Sequence, residues 1–263
     1  MPELPEVETI VRYLRKEVLG KRIVDFTSDT PRIFRDHKNF AEVRKRVLGK
    51  KIESLDRIGK NILFNLSGGV CLGLHLMMTG KLLLGPREMS KHDRFDIKLS
   101  GGRHLIFNDI RKFGRCRIIE GPQMFGKDAL SVDLETFKNL IKSRKKVLKN
   151  FLLDQSAISG IGNIYADEIL WFAGIHPLRG TSSLKEQEVR KLYFSMRKVL
   201  ALAIEKQGTS SRDYRKPDGT KGGYYQIRKA YQMTGKPCAL DSVKIRRAVI
   251  GGRSTHFCPK HQK

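Results

Sequence analysis

Apolar residues first recur along the chain with a helical period. Val7, Ile10, Val11, Leu14 and Val18 fall on one face of a predicted helix over residues 5–18. Pro5 suits its first position, and Glu6 and Glu8 suit the positive end of its macrodipole. The period then shortens. Between about residues 22 and 118 apolar positions alternate or come in bursts, at Ile23–Phe26, Ile52–Leu55, Ile62–Leu66, Val70–Leu76, Lys81–Leu84, Phe95–Leu99, Leu105–Phe107 and Cys116–Ile119. Two LSGG stretches, Leu66–Gly69 and Leu99–Gly102, each join two such runs and predict antiparallel hairpins. The expected result is a β-sandwich or flattened barrel with the first helix against it.

The stretch EGPQMFGKDA, Glu120–Ala129, reads as a linker, placing the first domain at 1–119 and the join at 120–130. Beyond it the helical period returns. Leu134, Phe137, Leu140 and Ile141 form one stripe; Val189, Leu192, Tyr193, Met196, Val199, Leu200 and Ala203 form a longer one. Between them QSAISGIGNIYADEIL carries a Gly-Ile-Gly turn that opens another helix. From Gly208 the chain turns polar and glycine-rich, and it closes in a small module, residues 225–263, bearing cysteine and arginine. The fold class predicted is α+β: a two-layer sandwich with a flanking helix over 1–119, a helical domain over 131–224, and a terminal β-hairpin. No internal repeat is visible.

Charge narrows the partners. The 263 residues hold 52 Lys and Arg against 27 Asp and Glu, a net charge of +25 and a pI near 10.1. Such an excess needs a polyanion, nucleic acid before an anionic membrane surface. No apolar run is long enough to span a bilayer, and His75 interrupts the longest candidate. No secretory signal is visible. The four cysteines, at 71, 116, 238 and 258, are too scattered for a disulfide framework, which points to an intracellular protein.

Four places could carry chemistry. Pro2 would become a secondary-amine terminus on loss of Met1, and α-amino groups titrate near 7.7–8.0, so part is neutral and nucleophilic at pH 7. Glu3 and Glu6 lie within a turn of it and could move protons; the alternative is a helix start with an ordinary acidic first turn. GIGNIYADE can seat a phosphate on helix-start amides, with Asn163 capping the helix or touching the phosphate, or can be a plain turn. Cys238, Asp241, Cys258 and His261 have the spacing of a four-ligand zinc site, or form a metal-free hairpin with two leftover thiols. Met78 with Arg111 and Phe113, on adjoining hairpins, would make a wedge against a base stack, or simply core.

Several ordered segments together resemble one family, the formamidopyrimidine-DNA glycosylases. They are PELPEVET, RIGKNILF at Arg57–Phe64, HLMMTGKL at His75–Leu82, FNDIRKFGR at Phe107–Arg115, LLDQSAISGIGNIYADEIL at Leu152–Leu170, GTSSRDY at Gly208–Tyr214 and RSTHFCPKHQ at Arg253–Gln262. The resemblance spans essentially the whole chain. It implies a helix–two-turn–helix element in the second domain and a zinc-finger hairpin at the end. It implies that Met1 is removed and that Pro2 attacks C1′ of an oxidised purine nucleotide in duplex DNA. Base loss, a Schiff base and strand cleavage by successive eliminations then follow. Glu3 would support ring opening and proton transfers, Glu6 would hold the catalytic end, and Lys60 a neighbouring phosphate. Met78, Arg111 and Phe113 would fill the void left by the flipped nucleotide. His75, Lys149, Asn163, Tyr231 and Arg253 would serve DNA binding, and residues 208–225 would cap the lesion. A monomer acting on damaged double-stranded DNA in a bacterial cytoplasm, away from membranes, is the expected setting.

The sequence also departs from the family pattern. Asp241 and His261 stand where cysteines are usual, so the expected single structural Zn2+ has a Cys238, Asp241, Cys258, His261 ligand set. Gln232 and Met233 stand for a common Gly-Arg, Ile110 for a common proline, and Met77 is an unusual neighbour of Met78. An oxidised-pyrimidine-preferring relative and a non-cutting lesion binder are the competing readings.

Overall fold

The computed structural model describes residues 1–86, 90–120 and 126–263. The chain divides into two compact units, Met1–Gln123 with Lys206–Tyr225, and Met124–Glu205 with Gln226–Lys263. The polar segment expected in the helical domain therefore belongs with the first unit.

In the first unit, helix α1 (Leu4–Val18) is followed by strand β1 (Ile23–Thr27), helix α2 (Phe40–Val47) and strands β2 (Ile52–Ile58), β3 (Asn61–Leu66) and β4 (Val70–His75). Then come β5 (Lys81–Gly85), β6 (Asp93–Leu99), β7 (His104–Asn108) and β8 (Arg115–Ile119). They form two four-stranded antiparallel sheets, ordered β1-β6-β7-β5 and β2-β3-β4-β8. One continuous core takes the inward residues of both sheets and the whole apolar stripe of α1. Both LSGG segments are hairpin turns, joining β3 to β4 and β6 to β7. Phe26 meets Phe40 (5.0 Å) and Phe95 (5.4 Å) edge-on, and Phe95 stacks on Phe107 (5.1 Å), so α2 is anchored by aromatic packing.

The topology corrects one expectation. Met78 and Arg111 do not lie on hairpins. The connection after β4 and the one after β7 both pass from one sheet to the other. Since β4 pairs with β8 and β5 with β7, these two crossings run side by side at one end of the sandwich.

The second unit begins, within the expected linker, with strand β9 (Lys127–Asp128); residues 121–125 of that linker lie outside the described residues. Helices α3 (Leu134–Lys142) and α4 (Leu148–Leu153), strand β10 (Ile158–Ser159), helices α5 (Asn163–Ala173) and α6 (Glu186–Glu205), and strands β11 (Arg246–Ile250) and β12 (Arg253–Phe257) follow. Asp133 caps α3 by accepting from Thr136 N at 2.8 Å, and Phe137 packs on Phe151 and Tyr193. Helix α5 is buried on nearly every side, including Asp167 and Glu168. β11 and β12 form the expected antiparallel hairpin. Among the described residues no helix is long and apolar enough to cross a membrane.

Candidate functional site

The amino-terminal turn is built around one carboxylate. Glu3 is the N-cap of α1 and Glu6 its third residue, and the two form a capping box. Glu6 Oε2 accepts from Glu3 N at 2.7 Å, which fixes the peptide that follows Pro2. Its other oxygen, Oε1, accepts from Thr209 N at 2.7 Å. Both glutamates are buried in the first turn of α1, at 2% and 1% exposure. Gly208 makes this approach possible. Its φ is +84°, and a Cβ there would lie 2.9 Å from Glu6 Cγ and Oε1. Tyr214, six residues on, inserts into the sandwich core, where burial and then the Glu6 charge push its phenol up. Pro217 O accepts from Leu84 N (2.9 Å) on edge strand β5, so segment 206–225 meets the sandwich at Thr209, Tyr214 and Pro217.

Lys60 follows Gly59 in the β2–β3 turn and is 7% exposed. That turn is tied to α1, because Arg57 Nε donates to Glu8 Oε2 (2.8 Å) and Arg57 Nη1 to Gly59 O (3.0 Å). His75 stands opposite Asn61 in the β3–β4 register. Burial first, then Lys60, Arg115 and Arg117, push its imidazole down to about 4. Met77 N donates to Nδ1 at 3.0 Å, so at neutral pH His75 is an uncharged ring with its proton on Nε2. With Asn61, Gly73, Met77, Arg115 and Arg117 it lines a cavity of about 190 Å³, cationic in character.

The two sheet crossings are joined by Asp109, which is fully buried. Its Oδ1 accepts from Thr79 Oγ1 (2.5 Å) and Arg111 N (3.2 Å); Oδ2 accepts from Phe113 N (2.8 Å) and Gly114 N (2.9 Å). Gly80 and Gly114 have no room for a Cβ, which would meet the Phe107 ring at 2.7 and 2.4 Å. Thus Met78, Arg111 and Phe113 do come to one end of the sandwich, with the Arg111 guanidinium 4.5 Å from the Phe113 ring centroid.

In the second unit, Asn163, Tyr231 and Arg253 line one open polar cavity of about 600 Å³, together with Gln232, Arg247, Ser254 and His256. Gln155 shapes the glycine turn before α5, donating to Ile161 O (2.7 Å) and accepting from Gly160 N (3.0 Å). Asn163 Nδ2 donates to Ser254 O at 2.9 Å. Glu168, fully buried, accepts from Lys229 N, Ala230 N and Tyr231 N at 2.8–2.9 Å and so sets the Tyr231 backbone. Lys149, expected at the DNA, is 0% exposed instead. It donates to Asp167 Oδ1 (2.5 Å) and Asn163 O (3.2 Å), so any effect it has on DNA passes through groups it holds.

Comparison with known proteins decides what this assembly is. Residues 1–116 match the family Formamidopyrimidine-DNA glycosylase N-terminal domain, and residues 125–215 match Formamidopyrimidine-DNA glycosylase H2TH domain. The chain belongs to the formamidopyrimidine-DNA glycosylase family. It is 43% identical to the Carboxydothermus hydrogenoformans enzyme of that name over 269 residues, covering all of both chains. It is 40% identical to the Ligilactobacillus salivarius enzyme over 278 residues, covering 100% of this chain and 99% of that one. Among solved structures it resembles a complex of Lactococcus lactis Fpg with abasic-site DNA (TM-score 0.92, 33% identity, 99% of each chain). It also resembles MutM bound to DNA containing carbocyclic 8-oxo-G (TM-score 0.91, 33% identity, 100% of each chain).

The terminal hairpin carries the four expected metal-ligand positions. Cys238, Asp241 and Cys258 each present a ligand atom within 4.8 Å of the others, with Cys258 Sγ 3.2 Å from Asp241 Oδ2. Two thiols and a carboxylate fit a divalent ion of the zinc type. The His261 ring is not in this group. Its Nε2 lies 2.7 Å from Trp171 O, while its backbone N donates to Cys258 Sγ at 3.4 Å. Sequence reasoning passed over Asp109, Asp167 and Glu168. The signal available was an acid inside otherwise apolar or basic motifs, which in a buried element must have partners. Asp109→Ala is expected to leave Phe113 N, Gly114 N and the Thr79 hydroxyl without their acceptor and to cost about 3 kcal/mol of stability, measured by urea unfolding.

Proposed function

We propose that this family member is a bifunctional DNA glycosylase and abasic-site lyase that removes oxidised purines from duplex DNA, with the Pro2 nitrogen as nucleophile. The observation that carries the reading is the Glu6 bridge, which holds the peptide after Pro2 and the root of segment 206–225 on one carboxylate. The similar complexes holding abasic-site and 8-oxo-G DNA support the substrate class.

Met1 is 42% exposed and Pro2 is buried, so removal of Met1 uncovers a secondary amine in a sheltered site. In the proposed reaction the Pro2 nitrogen forms a bond to C1′ while the glycosidic C1′–N bond breaks and its electron pair leaves with the base. The proton that the bonded Pro2 nitrogen loses passes to the Glu3 carboxylate; the C1′–O4′ bond then opens, O4′ takes that proton from Glu3, and an iminium links Pro2 to C1′. Loss of a C2′ proton expels the 3′ phosphate, and a second elimination expels the 5′ phosphate. Glu6, with both oxygens engaged, acts as a positioning residue.

Extruding a nucleotide costs a few kcal/mol, and the gap needs a filler. Met78 and Phe113 supply apolar surface, and Arg111 offers its donors to the unpaired base. Lys60 and His75 would take backbone phosphates in the first unit, and Asn163, Tyr231 and Arg253 in the second. Segment 208–225 would cover the lesion. The metal proposed for the hairpin is zinc, held by Cys238, Asp241 and Cys258, with His261 as fourth donor once its ring leaves Trp171 O. It would stiffen the turn below Arg253 and supply no reaction chemistry.

A duplex with 8-oxoguanine opposite cytosine tests the reaction. The expected products are free 8-oxoguanine and a one-nucleotide gap with phosphate on both ends, and Glu3→Gln should slow single turnover by about 10²-fold or more. Faster release of 5-hydroxyuracil or thymine glycol would move the reading to a pyrimidine-preferring enzyme, and tight binding without base release would remove it. For the hairpin, elemental analysis should find one zinc per chain, lost in Cys258→Ala; a metal-free native chain would refute the zinc proposal.

A further inference from the structure

Asp167 sits one turn into α5, four residues after Asn163, and is fully buried. Its Oδ1 accepts from Lys149 Nζ at 2.5 Å. Its Oδ2 accepts from His256 N at 3.0 Å and faces His256 Nδ1 at 2.8 Å, an orientation in which that nitrogen donates. Lys149 closes the circuit by donating to Asn163 O at 3.2 Å. His256 is three residues beyond Arg253 on β12, lines the same 600 Å³ cavity, and turns its ring edge-on to Tyr231 with centroids 5.4 Å apart. One carboxylate thus receives bonds from α4 and from the terminal hairpin, on the helix whose first residue is Asn163.

A buried ion pair is a poor device for stability, since an apolar pair of the same volume holds a core as well or better. It is a good device for register, because a displaced hairpin would leave a buried charge and a buried N–H unsatisfied. We propose that Asp167 is a positioning residue for DNA binding: through Lys149 and His256 it fixes hairpin β11–β12 against the first turn of α5, so that Asn163 and Arg253 grip backbone phosphates together. This rests on the phosphate-grip reading of the cavity given above. It also accounts for a lysine that serves the DNA site without surface exposure.

The test is the salt dependence of binding to duplexes with and without a tetrahydrofuran abasic site. Arg253→Ala should lower the slope of log K against log salt by about 1, the share of one phosphate contact. Asp167→Asn should lower it by about the same amount, and adding it to Arg253→Ala should change little, since both act on one contact. Asp167→Asn leaves the Lys149 ammonium buried with less counter-charge, so the volume-keeping pair Lys149→Met with Asp167→Leu carries the decisive comparison. That double variant removes both buried charges but leaves His256 N without its acceptor, so it is expected to fold with a lowered Tm and to show the reduced slope. Parental slopes in the Asp167 variants beside a reduced slope in Arg253→Ala would overturn the proposal and leave the grip intact. A parental slope in Arg253→Ala would remove the grip reading and this inference with it.

Discussion

The amino-terminal end of the first unit depends on the Glu6 carboxylate. Its two oxygens hold backbone N–H groups 206 positions apart in sequence, at Glu3 and Thr209, both at 2.7 Å. A buried carboxylate with two such bonds cannot rotate without losing one, and an unsatisfied buried N–H costs on the order of 1–3 kcal/mol. The residue after the proposed nucleophile and the root of the proposed lesion cap are therefore set by the same side chain. The glycine at 208 and the core-inserted Tyr214 are consequences of that arrangement, one making the close approach possible and the other anchoring the segment.

The same use of acids recurs through a chain of net charge +25. Asp109 arranges the two sheet crossings that carry Met78, Arg111 and Phe113. Glu168 sets the backbone at Tyr231, and Asp167 ties the hairpin to α5. All are at or near zero exposure. These four buried acids satisfy the backbone of the loops and turns that carry the proposed DNA-contacting residues. An acid on the exposed face would repel phosphate; buried and bonded, it fixes the backbone that carries the proposed DNA contacts.

Much of this was legible in the sequence. The stripe of α1, both LSGG hairpins and the change from period two to period 3.6 all follow from single-face burial, which leaves a pattern. Helix α2 escaped because its eight residues bury only Val43 and Val47, and aromatic contacts from Phe40 and Phe26 hold it instead. Helix α5 left no stripe because it is buried all round. The sequence motifs placed Met78, Arg111 and Phe113 together, but hairpins were the wrong reason, since pairing order between distant strands has no local signature. Lys149 matched a DNA-handling position, yet its burial is a tertiary property that no motif shows. For the hairpin, spacing selected four donors, and side-chain direction brings three of them together.

The central claim is that a freed Pro2 nitrogen, held by the Glu3–Glu6 cap, is the group that bonds to the sugar. The most direct measurement is the intact and peptide mass of the protein after borohydride treatment with an 8-oxoguanine duplex, on chains that begin at Pro2 and on chains that retain Met1. The account predicts a reduced sugar adduct on the Pro2 peptide of the processed chain and none on the unprocessed one. An adduct on a lysine, or equal trapping with Met1 in place, would contradict it.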